Sequence, residues 1–462
     1  MTSINSDFMS QLALRSLGNS SNMMTQAMER LSTGKRVNSA SDDAAGLGIA
    51  TKLRAQVNSL NAATRNATDA LALIGTIDGA LEESGEILLR MRELAVQSAS
   101  DTNTGTDRSF IQDEINALNN ELNRISSSTE FNSVKLLDGT YNNKQIQIGT
   151  GANQVFNIGV TATDSSTLGA YELESTAEIT ASSGTANAAA AKTALTALLA
   201  DAADYTVKGS FGSATVKVDA GADARDVAKS FNLSAGTTGI NATAITKASI
   251  TGLGKQTTIS FTLQGKSSTA STVNATVDST SNLTALKDAI NSVSGATGIS
   301  ASLTTDLSGI NLVQQDGYDI VIGDVTTSHV SGTMTVKVAD KSGTAQGTEQ
   351  TLKGFTTADD SVAMVGQVSL SSHKAFTVTP GNAANHFNTS TSTVTASLKQ
   401  IGDVDVSSQL GATNALSVID GAIAMTSEVR SEIGAANNRL EATAYNLSNI
   451  ISLIIEARYR DK

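Results

Sequence analysis

Side chains capable of acid–base, metal or nucleophilic chemistry are few in this sequence and lie far apart. The three histidines, His329, His373 and His386, form no HExxH or HxxxH pair. A histidine with no partner signature nearby is most often exposed or hydrogen-bonded locally, and we interpret all three in this way. The absence of cysteine excludes disulfides, thiolate metal sites, Fe–S clusters and cysteine nucleophiles.

Two short motifs lack the surroundings that a binding loop needs. Gly46-Leu47-Gly48 does not follow a predicted strand, so we do not interpret it as a phosphate loop. Asp403 and Asp405 offer too few oxygens for a calcium loop. The sequence therefore predicts no cofactor-binding residue and no metal site.

The adjacent acids Asp42 and Asp43 would not face each other on a helix, so they do not form a catalytic pair. Together with Ser41 they indicate a helix N-cap at Ser41, followed by acids in the first turn. No Ser/His/Asp triad or glycosidase pair stands out either. We therefore expect a protein that is not an enzyme and has no catalytic residue.

Composition narrows the class of protein further. The chain has 462 residues and a net charge of -12, which argues against a sequence-independent grip on nucleic acid. Aromatic residues make up 3%, so a large aromatic-lined pocket is not expected. No stretch reaches the apolar length of a membrane span, so we predict no membrane insertion. Pro380 is the one proline, which permits long helices.

The elements that would position any site are predicted from three zones of the chain. The two ends have the spacing of helices, and the centre has the alternation of strands. The ends, 1–135 and 412–462, carry apolar residues three and four apart, the spacing of a coiled-coil seam. The centre, 140–400, is rich in Thr, Ser and Gly, with short alternating runs. We predict an α+β fold in which a long antiparallel coiled-coil bundle from both termini carries an inserted α+β region.

Three apolar seams define the predicted bundle, with a loop at 101–107 after the first. The first seam comprises Ile74, Ile77, Leu81, Leu88, Met91 and Ala95, with Ser84 filling a gap. The second comprises Ile111, Ile115, Leu118, Leu122 and Ile125. The third comprises Ile433, Ala436, Leu440, Ala444, Leu447, Ile450 and Ile454.

A weaker apolar stripe runs along the first 34 residues. Its members are Ile4, Phe8, Leu14, Leu17, Met24, Met28 and Leu31. Such a marginal helix is either a segment that orders on meeting a partner or an amphipathic helix packed on its own chain. The sequence leaves both alternatives open.

The centre contains two similar units, 223–244 and 283–304. Each is predicted to form a short helix, a glycine-containing turn and an alternating strand. Further strands are expected at 257–265, 332–340 and 374–381. The Ala-rich run from residue 187 to residue 203 is predicted to be helical.

Several long segments resemble bacterial flagellins, in the order found in that family. LSTGKRVNSASDDAAGLGIATKLRAQVNSL (31–60) is similar to the N-terminal flagellin signature, as are LLRMRELAVQSASDTNT (88–104) and FNSVKLLDG (131–139). QIQIGTGANQVFNIGV (145–160) resembles the hairpin that follows, and EIGAANNRLEATAYNLSNI (432–450) the C-terminal flank.

The resemblance implies a division of the chain into domains. The expected parts are an N-terminal filament-core region at 1–45, a helical inner domain at 46–165 with a β-hairpin near 141–160, a variable outer domain at 166–400, a second part of the helical inner domain at 401–452, and the start of a C-terminal core helix at 453–462. Flagellin chains continue past the EARYRD of this sequence with another long helix, so we expect this chain to polymerise poorly.

The resemblance also implies a function. We expect a secreted, extracellular subunit that self-assembles into the bacterial flagellar filament and is exported by the flagellar type III route, with an export chaperone and a filament cap as partners. The stripe along 1–34 is the expected interface between subunits. The expected core within a subunit is Ile111, Ile115, Leu118, Leu122, Ile433, Leu440 and Leu447.

Resemblance to the region sensed by a Toll-like receptor implicates Arg90, Leu94 and Glu114. Leu89 departs from the Gln often found beside that arginine. The alternative is that Arg90 and Glu93 belong to a solvated helix face. Two other functions also stay open: a hook–filament junction protein, which has similar ends, and an adhesin or carbohydrate-binding protein acting through the centre.

Overall fold

The computed structural model describes residues 3–176, 178–179, 187–198, 203–329, 331–354, 359–381, 387 and 392–461. His386 lies outside these residues. The chain forms two compact units, one from 1–82, 126–162 and 429–462 and the other from 83–125 and 163–428. The predicted fold class, α+β with long helices at both ends and strands between them, is confirmed.

The helices at the two ends are long because the segments contain no proline and few helix-breaking residues. The described helices are α1 (Ser3–Thr33), α2 (Ala44–Ser98), α3 (Gly105–Ser128), α4 (Ala188–Leu198), α5 (Ala224–Leu233), α6 (Ala235–Thr238), α7 (Thr284–Ser292), α8 (Ser294–Thr297) and α9 (Gln409–Asp461), with a 3-10 turn at Ile401–Asp403. None of them is long and apolar enough to cross a membrane.

Strands occupy the centre of the chain. Their bounds are β1 (Glu130–Phe131), β2 (Val134–Lys135), β3 (Lys144–Gln147), β4 (Val155–Ile158), β5 (Gly169–Glu174), β6 (Glu178–Ile179), β7 (Ala203–Lys208), β8 (Ser213–Val218), β9 (Asn241–Leu253), β10 (Thr257–Gln264), β11 (Ser271–Val277), β12 (Ile299–Leu303), β13 (Ile310–Gln314), β14 (Ile320–Thr327), β15 (Thr333–Ala339), β16 (Ala345–Lys353), β17 (Val362–Val365), β18 (Gln367–Ser372), β19 (Thr377–Pro380), β20 (Val394–Thr395) and β21 (Ser397–Gln400).

In the first unit, α2 and α9 run antiparallel. Leu60 and Ala63 of α2 pack with Leu447 of α9, and nearer the other end Arg430 Nε donates to Asp78 Oδ1 at 3.0 Å. The strands β3 and β4 pair as an antiparallel hairpin. Arg439 of α9 places its guanidinium 4.9 Å from the centre of the Phe156 ring, which anchors this hairpin on the helix.

The apolar seam of α2 is fully buried. Ile74, Ile77, Leu81, Leu88, Met91 and Ala95 are at most 2% exposed, and Ser84, which fills the gap in the spacing, is 1% exposed. A residue every three or four positions stays on one side of a helix, which is why the spacing read from the sequence matches the buried line.

In the second unit, three antiparallel sheets share two large apolar cores, and the sheet with the most strands contributes to both. The largest is built on the long strand β9, which pairs with β18 through its first half and with both β13 and β15 through its second half. A four-stranded sheet has the order β20-β19-β7-β8, and a five-stranded sheet has the order β11-β10-β14-β17-β6. Tyr205, Phe231 and Phe387 meet edge-on or tilted in the core beside β9.

The two similar sequence units fold alike. Asn232, near the end of α5, exchanges two hydrogen bonds of 2.8 Å with the backbone of Ala242. Asn291 makes the same clamp on Ala301, at 2.9 and 2.8 Å. In each of these two segments the chain passes from helix to strand at a left-handed glycine, which is Gly239 in the first and Gly298 in the second.

The Ala-rich helix is shorter than predicted. Helix α4 ends its described span at Leu198, residues 199–202 lie outside the described residues, and Ala203 already belongs to strand β7. High alanine content favours helix, but sheet pairing of β7 with β8 and β19 overrides that propensity at the end of the run.

Gly421 of α9 packs against the backbone of β5, and substitution of this glycine tests the contact between the helix and the strand. A Cβ there would lie 2.6 Å from Gly169 O and from Ala170 Cβ, whereas a Cβ at Gly434 would meet nothing within 4 Å. We expect Gly421→Ala to lower the free energy of unfolding by about 1–3 kcal/mol, because backbone atoms must move. Gly434→Ala should raise it by about 0.5–1 kcal/mol through helix propensity.

Urea unfolding followed by circular dichroism measures both changes. Since the two substitutions are identical and lie on one helix, propensity cancels in the comparison. Equal stabilisation by the two variants would contradict the close approach of α9 to β5.

Candidate functional site

Helix α1 presents an unusually wide apolar surface to solvent. At about 100° per residue, its large apolar side chains spread over roughly 240° of the helix circumference. These side chains are between 54% and 88% exposed, and they are Phe8, Met9, Leu12, Leu14, Leu17, Met23, Met24, Met28 and Leu31. Polar side chains such as Arg30 and Asn19 lie among them, but apolar side chains that point in so many directions need neighbours on several sides.

The remaining sector of α1 is polar. It carries Asp7, Gln11, Arg15, Asn22 and Glu29, which recur three or four residues apart, or at a multiple of that spacing. This arrangement explains why sequence analysis detected only a weak stripe. Spacing identified one line of apolar residues, and the structure adds Met9, Leu12 and Met23 beside it as exposed apolar side chains.

Asp42 fastens the segment after α1 in place. Helix α1 ends at Thr33, and Gly34 follows in the left-handed conformation, with φ at 64°. One Asp42 oxygen accepts from Gln26 Nε2 of α1 at 2.6 Å. The other accepts from the backbone N–H groups of Asn38 and Ser39, at 3.1 and 3.0 Å. These bonds favour the charged carboxylate, so the pKa of Asp42 falls to about 2, with Gln26 as the largest cause.

Asp43, rather than Ser41, caps helix α2. Its Oδ1 accepts from the backbone N–H of Gly46 at 2.8 Å, the hydrogen bond of an N-cap to the third helical residue. Ser41 Oγ instead pairs with Ser39 Oγ at 2.7 Å. The predicted cap at Ser41 was therefore wrong by two residues, because the helix begins at Ala44.

A polar groove of 580 Å³ lies between α1 and the segment that follows it. Its lining residues are Asn19, Asn22, Met23, Thr25, Gln26, Glu29, Ser39, Ser41 and Asp42. Asp42, which lines this groove, and Asp43, which does not, have different roles. Asp42 holds the segment to α1, and Asp43 caps α2.

Six of the seven residues predicted to form the core are buried, and Leu118 is not. Leu118 is half-buried, and in its place Asn119 is buried and donates from Nδ2 to the Ile401 carbonyl oxygen at 3.3 Å. The others are at most 7% exposed, and they are Ile111, Ile115, Leu122, Ile433, Leu440 and Leu447.

Arg90 and Glu114 lie together on the surface of the second unit. Arg90 Nη2 donates to Glu114 Oε1 at 2.8 Å, and Arg90 Nη1 to Glu93 Oε2 at 3.1 Å. The hydrogen bond to Glu114 is the main cause that raises the pKa of Arg90. Leu94 does not share this surface, because it is 2% exposed. Its side chain therefore cannot serve as a surface anchor beside Arg90.

The other chemistry-bearing residues do not converge. His329 Nδ1 accepts from the Ser331 backbone N–H at 3.1 Å, and His373 Nε2 lies 3.6 Å from Glu428 Oε2. Asp405 bonds locally to the backbone of Ser407. Among the described residues, no three His, Cys, Asp or Glu side chains come together as a metal site.

Comparison with known proteins places the chain in a family. Residues 4–142 match the model of the bacterial flagellin N-terminal helical region, and 258–316 match the flagellin hook IN motif. The B-type flagellin of Pseudomonas aeruginosa is 32% identical over 462 residues, which cover 99% of this chain and 91% of that protein.

The chain belongs to the bacterial flagellin family. A flagellin of Clostridium tyrobutyricum is 48% identical over 195 residues, covering 41% of this chain and 52% of that protein. Among solved structures, FliC from Burkholderia pseudomallei aligns over 80% of this chain and 99% of its own with 16% identity and a TM-score of 0.32. Family membership makes the chain a structural protein of the bacterial flagellum.

The Asp42 clasp of this flagellin predicts a measurable pKa change. Gln26→Ala removes the largest cause of the low pKa, so the pKa of Asp42 should rise from about 2 toward the ordinary 3.8. Because the folded-state pKa is depressed, this contribution to stability is present above the ordinary value and is lost as pH falls through about 2.

Carboxyl NMR titration of the two chains measures the shift. Gln11→Ala, the same substitution elsewhere on α1, is the matched control and should leave Asp42 unchanged. An unaltered Asp42 titration in the Gln26 variant would show that the contact with α1 does not hold this carboxylate.

Proposed function

We propose that this flagellin-family chain is a filament subunit that self-assembles through helix α1. The observation that carries the proposal is the exposed apolar surface of α1, which spans Phe8 to Leu31 and which the described chain does not cover. Leaving so many large apolar side chains in water is costly, at roughly 1.5–3 kcal/mol for each Leu, Phe or Met. Burial against other copies of the chain removes that cost.

The width of the surface favours an open assembly. A helix with one apolar stripe is satisfied by one partner, but a surface of roughly 240° needs helices on several sides. A contact that joins one face of this helix to a different face of the next copy is heterologous, and a heterologous contact that does not close produces a helical filament. Ile4, which the sequence also assigns to this interface, lies on the side of α1 that carries Asn22 and Arg15.

The polar sector of α1 sets a limit on this packing. Arg15 and Glu29 would be costly to bury without partners, so we assign this sector to solvent. The hydrogen bond from Gln26 to Asp42 fixes the segment after α1 against the helix. It thereby leaves the apolar side chains of α1 accessible to other copies.

Export and partners follow from the same proposal. We propose secretion by the flagellar type III route to an extracellular filament, with an export chaperone and a filament cap as partners. The absence of cysteine supports this route, since no disulfide can form before the chain leaves the cell. We propose no enzymatic activity. The proposed domains keep the bounds expected from the sequence, with the outer domain at 166–400.

A matched pair of variants tests the interface. Leu17→Gln places an amide in the apolar surface, and Arg15→Gln places the same residue in the polar sector. We expect Leu17→Gln to raise the protein concentration needed for polymerisation about tenfold or more, because one buried leucine contributes roughly 1.5–3 kcal/mol. Arg15→Gln should change it little.

Because the chain is expected to polymerise poorly, both variants are compared at salt and protein concentrations at which the wild type sediments, and electron microscopy of the pellet identifies filaments. Circular dichroism checks that both variants keep their helix content. If the two variants polymerise alike, α1 is not the interface.

A second proposed partner is a Toll-like receptor that contacts Arg90 and Glu114. The specific support is their geometry, since Glu114 and Glu93 hold the Arg90 guanidinium in a fixed, half-exposed position. A preorganised arginine loses less entropy on binding than a mobile one. Leu89 lies on the same stretch of helix and is 47% exposed, so it replaces Leu94 as the apolar contact in this proposal.

Receptor reporter assays on Arg90→Ala test this partner. We expect the concentration for half-maximal signalling to rise about tenfold or more, the effect of losing an interface hot spot. Arg124→Ala is the control, because Arg124 is also exposed and paired with a nearby glutamate, Glu121. Unchanged signalling by the Arg90 variant would remove this proposal.

A further inference from the structure

Asp319 lies where three elements of the second unit meet. It follows the turn at Gly317, whose carbonyl oxygen accepts from the Arg225 backbone N–H at the start of α5, at 3.1 Å. The next side chain, Tyr318, carries the Arg225 guanidinium 4.7 Å from its ring centre. On the other side of Asp319, strand β14 begins, and its Val321 packs with α4.

The Asp319 carboxyl is placed as a neutral group would be. Its Oδ1 is buried and has no hydrogen-bond partner in the described part of the chain. An ionised carboxylate needs several donors when it leaves water, so a charge here is costly, whereas a protonated carboxyl has a much smaller requirement.

The charges that face Asp319 come from two helices. Asp223 and Asp226, at the start of α5, oppose its ionisation, and Lys192 of α4 favours it. Asp223 is committed to capping α5, since it accepts from the Asp226 backbone N–H at 2.9 Å. The Arg225 guanidinium lies over Tyr318 and 3.6 Å from Asp226, so it offsets part of the charge of that acid. The main obstacle to ionisation is therefore the burial of Oδ1 without a donor among the described residues, and the charge of Asp223 adds to it.

We propose that Asp319 is a proton-operated switch in the sheet region. While its carboxyl is protonated, the start of α5 packs firmly on the turn before β14. When the carboxyl ionises, Asp223 and Asp226 repel the charge, and the buried site offers it no water. Both effects favour an opening that hydrates the carboxylate, so this packing loosens. The element that responds is the first turn of α5 with the Gly317 turn, which are joined by the hydrogen bond from Arg225.

Desolvation gives the pH range. Burial raises the pKa of Asp319 to about 7 from an ordinary 3.8, and Asp223 adds to the rise while Lys192 opposes it. Burial also raises the pKa of Asp223. With a folded-state pKa above the unfolded one, the folded chain holds the extra proton between these values. The contribution of Asp319 to stability is therefore fully present below 3.8 and is lost as pH rises through about 7.

Two variants of the full chain test the switch. Asp319→Asn keeps the size of the side chain and removes its titration. Asp316→Asn makes the same change three residues earlier, at an exposed acid whose side chain is 56% exposed and 3.9 Å from Lys266. Hydrogen exchange of the α5 amides is compared between chains at the same pH, so that the intrinsic chemistry of exchange cancels.

We expect the exchange rates of wild-type and Asp319→Asn chains to be similar at pH 5, and the wild-type α5 amides to exchange about tenfold faster or more at pH 8. Asp316→Asn should follow the wild type at both pH values. A ratio that does not change with pH would overturn the proposal. If Asp319→Asn does not fold, carboxyl NMR titration of the wild type decides, since an Asp319 that titrates near 3.8 would also overturn it.

Discussion

The burial of apolar side chains along one line of α2 is the constraint on which the rest of the structure depends. That line is complete from Ile74 to Ala95, and the first unit continues it where Leu60 and Ala63 meet Leu447 of α9. Helix α1 has side chains of the same kind, but no other described part of the chain covers them. The chain therefore satisfies its apolar surface in one long helix and leaves it open in another. This contrast is the physical reason to expect association with further copies.

Two adjacent carboxylates mark the boundary between these helices. Asp42 accepts from α1 and from the turn, and Asp43 accepts from the first turn of α2. A single acid could not serve both directions, because its oxygens would be taken up by one side. The connection between α1 and α2 is thus held by hydrogen bonds to the charged carboxylates of Asp42 and Asp43. Such bonds form in contact with water and do not require a packed core.

The periodic features of this fold could be predicted from the sequence, and the features that depend on tertiary contacts could not. Spacing of three and four residues located the seams of α2, α3 and α9, and the likeness of two segments revealed the repeat that ends at Gly239 and Gly298. The cap at Asp43 depends on backbone geometry to within two residues, which composition does not specify. The burial of Leu94 and of Asn119 depends on what faces them from other segments. So does the burial of Asp319, and the sequence carries no local signal for it.

The paired asparagine clamps have a consequence for how a local structure can recur within the chain. Each clamp joins residues only ten positions apart, Asn232 to Ala242 and Asn291 to Ala301. Each clamp fixes the corner between its helix and its strand through residues that are close in sequence, although the strand itself still needs distant partners such as β18. One short stretch of sequence therefore specifies the whole corner, which is why the same corner can occur twice within a single chain.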